Sequence, residues 1–172
     1  MFFSTVLIAT LAIIPSALAQ FNGHYTIKAI DGTSLAFGSQ SKVFSIGNAP
    51  TKNGTFYITS GPKSLGYAFI TGVLPSNVLT ATGSYTSTNN LDNSQASGLD
   101  FYSSTGNRSQ QAWKINSLGN GLYEIESAAF PESVLDIRGD GSNTRQVLVY
   151  SRNGGSNQKF RIIPFSLFDT AT

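Results

Sequence analysis

The sequence contains no cysteine and only one histidine, His24. The missing cysteine excludes disulfides, thiol catalysis and zinc sites with cysteine ligands, and a single histidine leaves few groups for acid–base chemistry. Charge is also sparse, because Asp, Glu, Lys and Arg make up 12% of the 172 residues, and the eleven Lys and Arg are scattered along the chain. A nucleic-acid groove needs clustered positive charge and is therefore not expected. We predict no metal site, no cofactor and no catalytic residue.

What the sequence does contain is a large share of Ser, Thr and Asn, together with 17 Gly. Such a composition is typical of short strands joined by many turns. After Phe21 there is no apolar stripe of helical period and useful length, whereas several short runs alternate as half-buried strands do. With 40% hydrophobic residues the chain is long enough to bury a core of its own. We therefore expect one all-β domain over residues 20–172.

Residues 1–19 differ from the rest of the chain. They carry no charged side chain, are mostly apolar, and end in Ala17-Leu18-Ala19, the small-x-small pattern that signal peptidase reads. We predict a signal peptide with cleavage before Gln20, and a secreted, extracellular protein that does not insert into a membrane after cleavage. An uncleaved membrane anchor is the alternative. Two sequons, at Asn53 and Asn107, are candidate glycosylation sites that would make it a glycoprotein.

Three similar units follow one another along the remaining chain. Each opens with a strand that begins at tyrosine, continues with two further strands, and closes on an aromatic residue with Ile two positions later. The opening strands are predicted at Tyr25–Ile27, Tyr67–Ile70 and Tyr123–Ile125. The second strands are predicted at Leu35–Gly38, Leu79–Ala81 and Leu135–Gly139. The closing strands are predicted at Phe56–Ile58, Trp113–Ile115 and Phe160–Ile162.

The spacing of these units indicates an internal repeat. The closing aromatics lie 57 and then 47 residues apart, near the roughly 40 to 50 residues of a repeated four-strand unit. One such unit cannot close its own apolar face, so three are expected to pack around a pseudo-threefold axis and leave few free edges. We predict four-strand repeats at about 21–60, 64–117 and 120–164. A polar insertion, Thr86–Gln95, accounts for the longer second repeat.

The closing segments of the second and third units carry a family resemblance. Gln111-Ala112-Trp113 and Gln158-Lys159-Phe160 resemble the Q-x-W motif of the ricin-type β-trefoil lectins, and the stretch from Tyr123 to Ile163 resembles one complete repeat of that family. The first unit lacks the motif and has Asn53-Gly54-Thr55-Phe56 instead. The resemblance implies a β-trefoil of three lobes, shallow sugar sites on the outer face of the lobes, and no catalysis.

The third unit contains the groups that a neutral sugar requires. A sugar offers vicinal hydroxyls and one apolar C–H face, so a site needs an acceptor for two hydroxyls, a flat aromatic and neutral amides. Asp136, Tyr150 and Asn157 supply these groups in turn. The resemblance implies that Asp136 accepts hydroxyls, that Tyr150 stacks under the ring, that Asn157 bonds the sugar and that Gln158 orients Asp136. It also favours galactose-type sugars.

The first unit is expected to hold no site. The position of the Asp is occupied by Ala36 and the aromatic position falls near Ile46, so neither a charge nor a stacking platform is present. Asn53 occupies the amide position and cannot bind a sugar alone.

The second unit offers a possible weak second site at Thr80, Tyr102 and Gln110. Thr80 supplies one hydroxyl where Asp would supply an anion that accepts two hydrogen bonds. We therefore expect one effective site per chain, in the third unit.

Several other residues invite functional interpretations, but structural roles explain them better. Arg138-Gly139-Asp140 spells an integrin-binding tripeptide but falls where a hairpin turn is expected. Glu124 and Glu126 share one strand face and could be an enzyme's paired carboxylates, although a solvated strand face explains them. His24 has no nucleophile near it and is expected at the surface. Trp113 is expected to be buried as the residue that closes the second lobe.

The sequence thus predicts a secreted, non-catalytic lectin whose partners are glycans or glycoproteins, and it makes no prediction about oligomeric state. A β-trefoil protease inhibitor is one alternative, because such inhibitors act through an exposed loop and the segment Thr86–Gln95 could serve as one. A second alternative is a secreted trefoil that binds no sugar and acts on a host or partner protein.

Overall fold

The computed structural model describes residues 21–37, 43–47, 54–60, 67–72, 77–81, 99–103, 109–139 and 145–165. Within these ranges the backbone forms twelve β-strands. They are β1 (Asn22–Ala29), β2 (Ser34–Phe37), β3 (Val43–Ile46), β4 (Thr55–Ser60), β5 (Ala68–Thr71), β6 (Asn77–Ala81), β7 (Leu99–Ser103), β8 (Trp113–Gly119), β9 (Leu122–Ser127), β10 (Ser133–Ile137), β11 (Arg145–Ser151) and β12 (Phe160–Pro164). The predicted signal peptide with Gln20, both sequon asparagines, Asp140 and the segment 86–95 lie outside the described residues.

Six of the strands close into a barrel. Within each unit the first strand pairs with the fourth, which gives the pairs β1–β4, β5–β8 and β9–β12. Between units the fourth strand pairs with the first strand of the next unit, which gives β4–β5, β8–β9 and β12–β1. All six pairs are antiparallel, and the last one joins the final strand to the first. The ring therefore has no free edge, which removes the usual site of edge-to-edge aggregation.

The other six strands form one hairpin in each unit. The hairpins are β2–β3, β6–β7 and β10–β11. The hairpins of the first and third units also pair with each other, because Arg145 and Gln146 on β11 lie opposite Ser45 and Phe44 on β3. This pairing joins the first and third lobes next to the region described below.

The core is built from equivalent residues of the three units, because each unit contributes the same apolar positions to the barrel interior. The first strands supply an isoleucine each, the fourth strands an aromatic and an isoleucine, and the hairpins a leucine. All of these residues are buried, namely Ile27, Ile70, Ile125, Phe56, Trp113, Phe160, Ile58, Ile115, Ile162, Leu35, Leu79 and Leu135. Trp113 is fully buried, as predicted, and its indole Nε1 donates a hydrogen bond to the Leu79 carbonyl at 3.0 Å.

The predicted fold class, an all-β β-trefoil of three four-strand repeats, is confirmed. The opening, second and closing strands all lie where the sequence predicts them, with small differences at their ends. For example, β10 ends at Ile137, so Arg138 and Gly139 already belong to the loop that follows it. His24 is exposed on β1, as expected.

Two properties of the described residues bear on function. In the part of the chain given above, no helix is long and apolar enough to cross a membrane. In the same part, His, Cys, Asp and Glu side chains form no group of three or more that could hold a metal ion.

Candidate functional site

The hairpin β10–β11 has one face toward the core and one face away from it. In its register Asp136 lies opposite Leu148, and Val134 lies opposite Tyr150. Side chains alternate between the two faces along each strand, so these four residues share one face. The core face carries their neighbours Leu135, Ile137, Val147 and Val149. Asp136 and Tyr150 thus lie on the same outer face, at diagonal positions about 7–8 Å apart between Cα atoms.

Two amide side chains hold the carboxylate of Asp136. Both come from the 3₁₀ turn Ser156–Gln158, which lies just before β12. Asn157 Nδ2 donates to Asp136 Oδ1 at 2.9 Å, and Gln158 Nε2 donates to Asp136 Oδ2 at 2.9 Å. We call Asn157 and Gln158 the amide pair. Each carboxylate oxygen has about two acceptor directions and uses one of them here, so one further hydrogen bond to each oxygen is available.

The orientation of Gln158 is fixed by four hydrogen bonds. Its Oε1 accepts from the backbone N–H groups of Asn153 at 2.8 Å and Gly154 at 3.2 Å. Its Nε2 donates to the Ser151 carbonyl at 3.0 Å as well as to Asp136. A flip of the amide would place NH₂ against two N–H donors, so Gln158 can present only donors to Asp136. Gln158 is buried, which makes this preference strong.

The amide pair does not neutralise the charge on Asp136. The residue is 5% exposed, and no Lys or Arg of the described segments forms an ion pair with it. Burial raises the pKa of Asp136 to about 6, although the hydrogen bonds from Gln158 and Asn157 act to lower it. Desolvation of the carboxylate therefore outweighs the two amide bonds, and the group is costly to the folded state when it is ionised.

Gly155 creates the space in which Asn157 reaches Asp136. A Cβ atom on Gly155 would overlap Asn157 Oδ1 and lie 2.9 Å from Asn153 Oδ1. Asn153 Oδ1 also accepts a hydrogen bond from the Gly155 N–H at 2.8 Å. Since Asn157 Nδ2 is shared between Asp136 Oδ1 and the Ile137 carbonyl, at 2.9 and 3.2 Å, its Oδ1 is the atom that can accept a bond from a ligand. Glycine at position 155 therefore leaves room for the side chain of Asn157.

Replacing Gly155 by Ala is expected to displace Asn157 and weaken ligand binding about fivefold, the equivalent of about 1 kcal/mol for one hydrogen bond. The fold should persist, because the strain falls on two side chains of an exposed loop. Titration of the variant against a bound sugar, followed by NMR, measures the change. Gly47→Ala is the matched control, since a Cβ there meets nothing within 4 Å. Equal affinities for the two variants would contradict the role given to Gly155.

The strand register aligns the three lobes at this position. Val134 opposite Tyr150 in the third lobe corresponds to Val78 opposite Tyr102 in the second and to Ser34 opposite Ile46 in the first. Asp136 opposite Leu148 therefore corresponds to Thr80 opposite Asp100 and to Ala36 opposite Phe44. For the Asp position and the aromatic position, the equivalences drawn from the sequence agree with this register.

The second lobe has a different chemistry at this position. Thr80 is buried, and its hydroxyl donates to the Val78 carbonyl at 2.8 Å. That hydrogen bond keeps the donor within its own strand. Gln110 is partly exposed, and its carbonyl accepts from the backbone N–H of Ala81 at 2.8 Å. The side chain of Tyr102, like Asn53 of the first lobe, lies outside what the structure describes.

The expectation of a solvated face at Glu124 and Glu126 is wrong. Glu124 is buried, and both carboxylates bind Arg152, Glu124 to its Nε at 2.9 Å and Glu126 to its Nη2 at 2.8 Å. Glu132 completes the group through Nη1 of the same arginine at 2.6 Å. Burial acts to raise the pKa of Glu126, but bonds from Asn116 and Glu132 and the charges of Arg152 and Lys114 lower it overall. Arg152 therefore anchors the end of β11, two residues after Tyr150.

A cleft near the site could not be predicted from the sequence. The cleft, of about 140 Å³, begins at Asn157 and runs to the turn between β1 and β2, where Asp31 pairs with Arg145. These two residues are 114 positions apart, and each taken alone is an ordinary turn or strand residue. Neither Asp136 nor Tyr150 lines this cleft.

Comparison with known families gives one match over more than half of the chain. The family described as ricin-type beta-trefoil lectin domain-like matches residues 52–150. No curated protein sequence matches the chain.

Comparison with solved structures gives similar folds at low sequence identity. A designed threefold symmetric protein, ThreeFoil, has a TM-score of 0.65 and 21% identity, with 84% of this chain and 100% of that chain covered. The Rhizoctonia solani agglutinin has a TM-score of 0.62 and 21% identity, with coverage of 84% and 96%. SeviL bound to the asialo-GM1 saccharide has a TM-score of 0.61 and 11% identity, with coverage of 84% and 99%. These likenesses concern the fold.

Proposed function

The chain belongs to the ricin-type β-trefoil lectin domain-like family, and from that premise we propose that it binds carbohydrate, without catalysing a reaction, on the outer face of hairpin β10–β11. The ligand is a glycan or glycoprotein with a galactose-type sugar. Asp136 accepts two hydroxyls, Asn157 contributes its Oδ1, Tyr150 stacks on the C–H face of the ring, and Gln158 orients Asp136.

The carboxylate of Asp136 is the observation that carries this proposal. A buried anion held only by neutral amides is unfavourable for folding when it is ionised. A purely structural residue at this position would be better as a neutral or apolar side chain, so a ligand explains the charge. A pair of sugar hydroxyls supplies the two hydrogen bonds that the carboxylate can still accept, one at each oxygen.

Tyr150 adds the apolar part of the interaction. It is partly exposed on the face that also carries Asp136, at the diagonal position of the hairpin. An aromatic ring there can cover the C–H face of a pyranose while its neighbour bonds the hydroxyls. The polar contacts are few and Tyr150 is only partly buried, so we expect a monosaccharide Kd of about 0.1 to 10 mM.

The comparison of lobes supports one effective site per chain. In the first lobe the position of Asp136 is occupied by Ala36, whose side chain cannot form a hydrogen bond. In the second lobe it holds Thr80, whose hydroxyl is already bonded to its own strand. A glycan array probed with residues 20–172 tests the proposal most directly. No binding to any glycan on the array would sink it.

Affinity for the sugar is expected to fall in mild acid. The pKa of Asp136 is about 6, so below that pH the carboxyl is protonated and can no longer accept two hydroxyls. Kd should be nearly constant above about pH 7 and rise about tenfold between pH 7 and pH 5. Titrations at fixed ionic strength between pH 5 and 8 measure this change.

Protonation of Asp136 does not itself destabilise the fold, because its effect on the free energy of unfolding has the opposite sign. The pKa of Asp136 is higher in the folded chain than its ordinary value of 3.8, so the folded state binds more protons between about pH 4 and pH 6. Asp136 therefore makes the folded state more stable as the pH falls through that range. A Kd that does not change between pH 7 and pH 5 would contradict the assignment of Asp136 as the acceptor.

We also propose that the protein is exported, with Gln20 as the first residue of the mature chain. The proposal rests on the apolar segment 1–19 and its small-x-small ending. Intact-mass measurement of the protein recovered from the medium of producing cells tests it. A chain that keeps Met1, or that sediments with membranes, overturns it.

A further inference from the structure

The cleft between the first and third lobes lies next to the Asp136 site. It is lined by Ile30 and Asp31 from the turn after β1, by Arg145 at the start of β11, and by Ser156 and Asn157. Asn157 belongs to both places, because its Nδ2 is 2.9 Å from Asp136 Oδ1. A ligand that bonds Asp136 and Asn157 and extends toward the first lobe would therefore enter this cleft.

The polar end of the cleft is built as a fixed acceptor–donor pair. Asp31 Oδ1 accepts from the Thr33 backbone N–H at 3.0 Å and from the Thr33 hydroxyl at 2.6 Å. Asp31 Oδ2 pairs with Arg145 Nη2, which also bonds the Thr33 hydroxyl at 3.0 Å. Because three residues hold one another, the carboxylate and the guanidinium stay side by side. An acceptor beside a donor is the arrangement that recognises two neighbouring hydroxyls.

The apolar part of the cleft complements this pair. Ile30 is 47% exposed at its rim and supplies an apolar surface. A pyranose combines hydroxyls with one apolar face, so it matches both parts. The charges of Asp31 and Arg145 cancel, which favours a neutral sugar, since Asp31 would repel an anion that approached Arg145.

We propose that this cleft is a second subsite, which takes a neutral sugar unit linked to the galactose-type unit on Asp136. The inference depends on the proposed function, because Asp136 fixes where the first sugar lies. The protein then recognises an oligosaccharide across the seam between two lobes. The hydroxyls of the second unit bond Asp31 and Arg145, and its C–H face contacts Ile30.

The test compares one sugar unit with two, by calorimetric titration of galactose, lactose and melibiose. The two disaccharides carry terminal galactose in different linkages. The wild-type protein is expected to bind at least one of them about tenfold tighter than galactose. In Asp31→Asn and in Arg145→Gln this gain should disappear, while the Kd for galactose stays unchanged. Arg161→Gln, at an exposed position on β12, is the matched control and should keep the gain.

The other outcomes are decisive in different ways. If galactose and both disaccharides bind the wild type equally, the second subsite is overturned and the Asp136 site stands. If Asp31→Asn weakens galactose and disaccharide by the same factor, Asp31 only positions Asn157, which also overturns the subsite. If 3′-sialyllactose binds tighter than lactose through Arg145, the neutral assignment is wrong. If no galactoside binds in any variant, both this proposal and the galactose-type function fail.

Discussion

Replacing Asp136 by Asn is expected to raise the Kd for the sugar about ten- to hundredfold, equivalent to about 1.5–3 kcal/mol for a hydrogen bond to a charged group. For a ligand that starts in the millimolar range, such a loss removes detectable binding. The physical reason lies in the fixed donors around the residue. Gln158 can present only NH₂ to this position, so an asparagine must turn its oxygen toward Gln158 and its NH₂ toward Asn157. The double acceptor is then gone.

The matched control for this prediction is Thr80→Ala, at the equivalent register position of the second lobe. The hydroxyl of Thr80 is bonded within its own strand, so its removal should leave the Kd unchanged. NMR titration of both variants against the best array ligand measures the pair, and thermal unfolding checks that each is folded. Retained binding in Asp136→Asn together with lost binding in Thr80→Ala would mean that the site lies in the other lobe.

Replacing Trp113 by Ala is expected to lower the free energy of unfolding by about 3–5 kcal/mol. Trp113 is fully buried and pairs with Ala68 on β5 and with Ser127 on β9, so its loss leaves a cavity where two units meet. The Leu79 carbonyl also loses the indole donor. A domain of this size has about 5–15 kcal/mol of stability in total. Urea unfolding followed by circular dichroism measures the difference without depending on tryptophan fluorescence.

Trp113→Phe is the control for that change. Phenylalanine already occupies the equivalent positions in the other two units, where Phe56 and Phe160 are fully buried. This variant should lose about 1–2 kcal/mol, chiefly from the unpaired Leu79 carbonyl and the smaller ring. A loss below 1 kcal/mol in Trp113→Ala, or native fluorescence that solvent quenchers readily reduce, would contradict the buried role of the residue.

The strands and the core could be predicted from sequence because they repeat. Each barrel strand carries its own alternation of apolar and polar residues, and the closing aromatics occur three times at similar spacing. The weak pattern in one unit is therefore supported by the same pattern in the other two. The alignment of Asp136 with Thr80 and Ala36 followed from the same periodicity, and the register agrees with it. The local sequence pattern is enough to predict a residue's position in the fold wherever its contacts are the same in every repeat.

Prediction failed where a residue's environment comes from elsewhere in the chain. Glu124 and Glu126 have the pattern of an exposed strand face. However, both form ion pairs with Arg152, which lies 28 residues after Glu124 in the sequence. Likewise, the partner of Asp31 is Arg145, which the pairing of β3 with β11 brings close. Neither contact belongs to the threefold repeat. Side-chain pairs that do not follow the threefold repeat can therefore be identified only from the folded structure.

The closed barrel has a consequence for how the chain is made. Tyr25 through Ala29 pair with Pro164 through Phe160, residues that leave the ribosome more than 130 positions later. One edge of β1 therefore stays open until β12 has been synthesised, and pairing across such a span is slow. Open strand edges also attract other chains. The yield of soluble protein should accordingly depend on how quickly β12 docks against β1 once both strands have been synthesised.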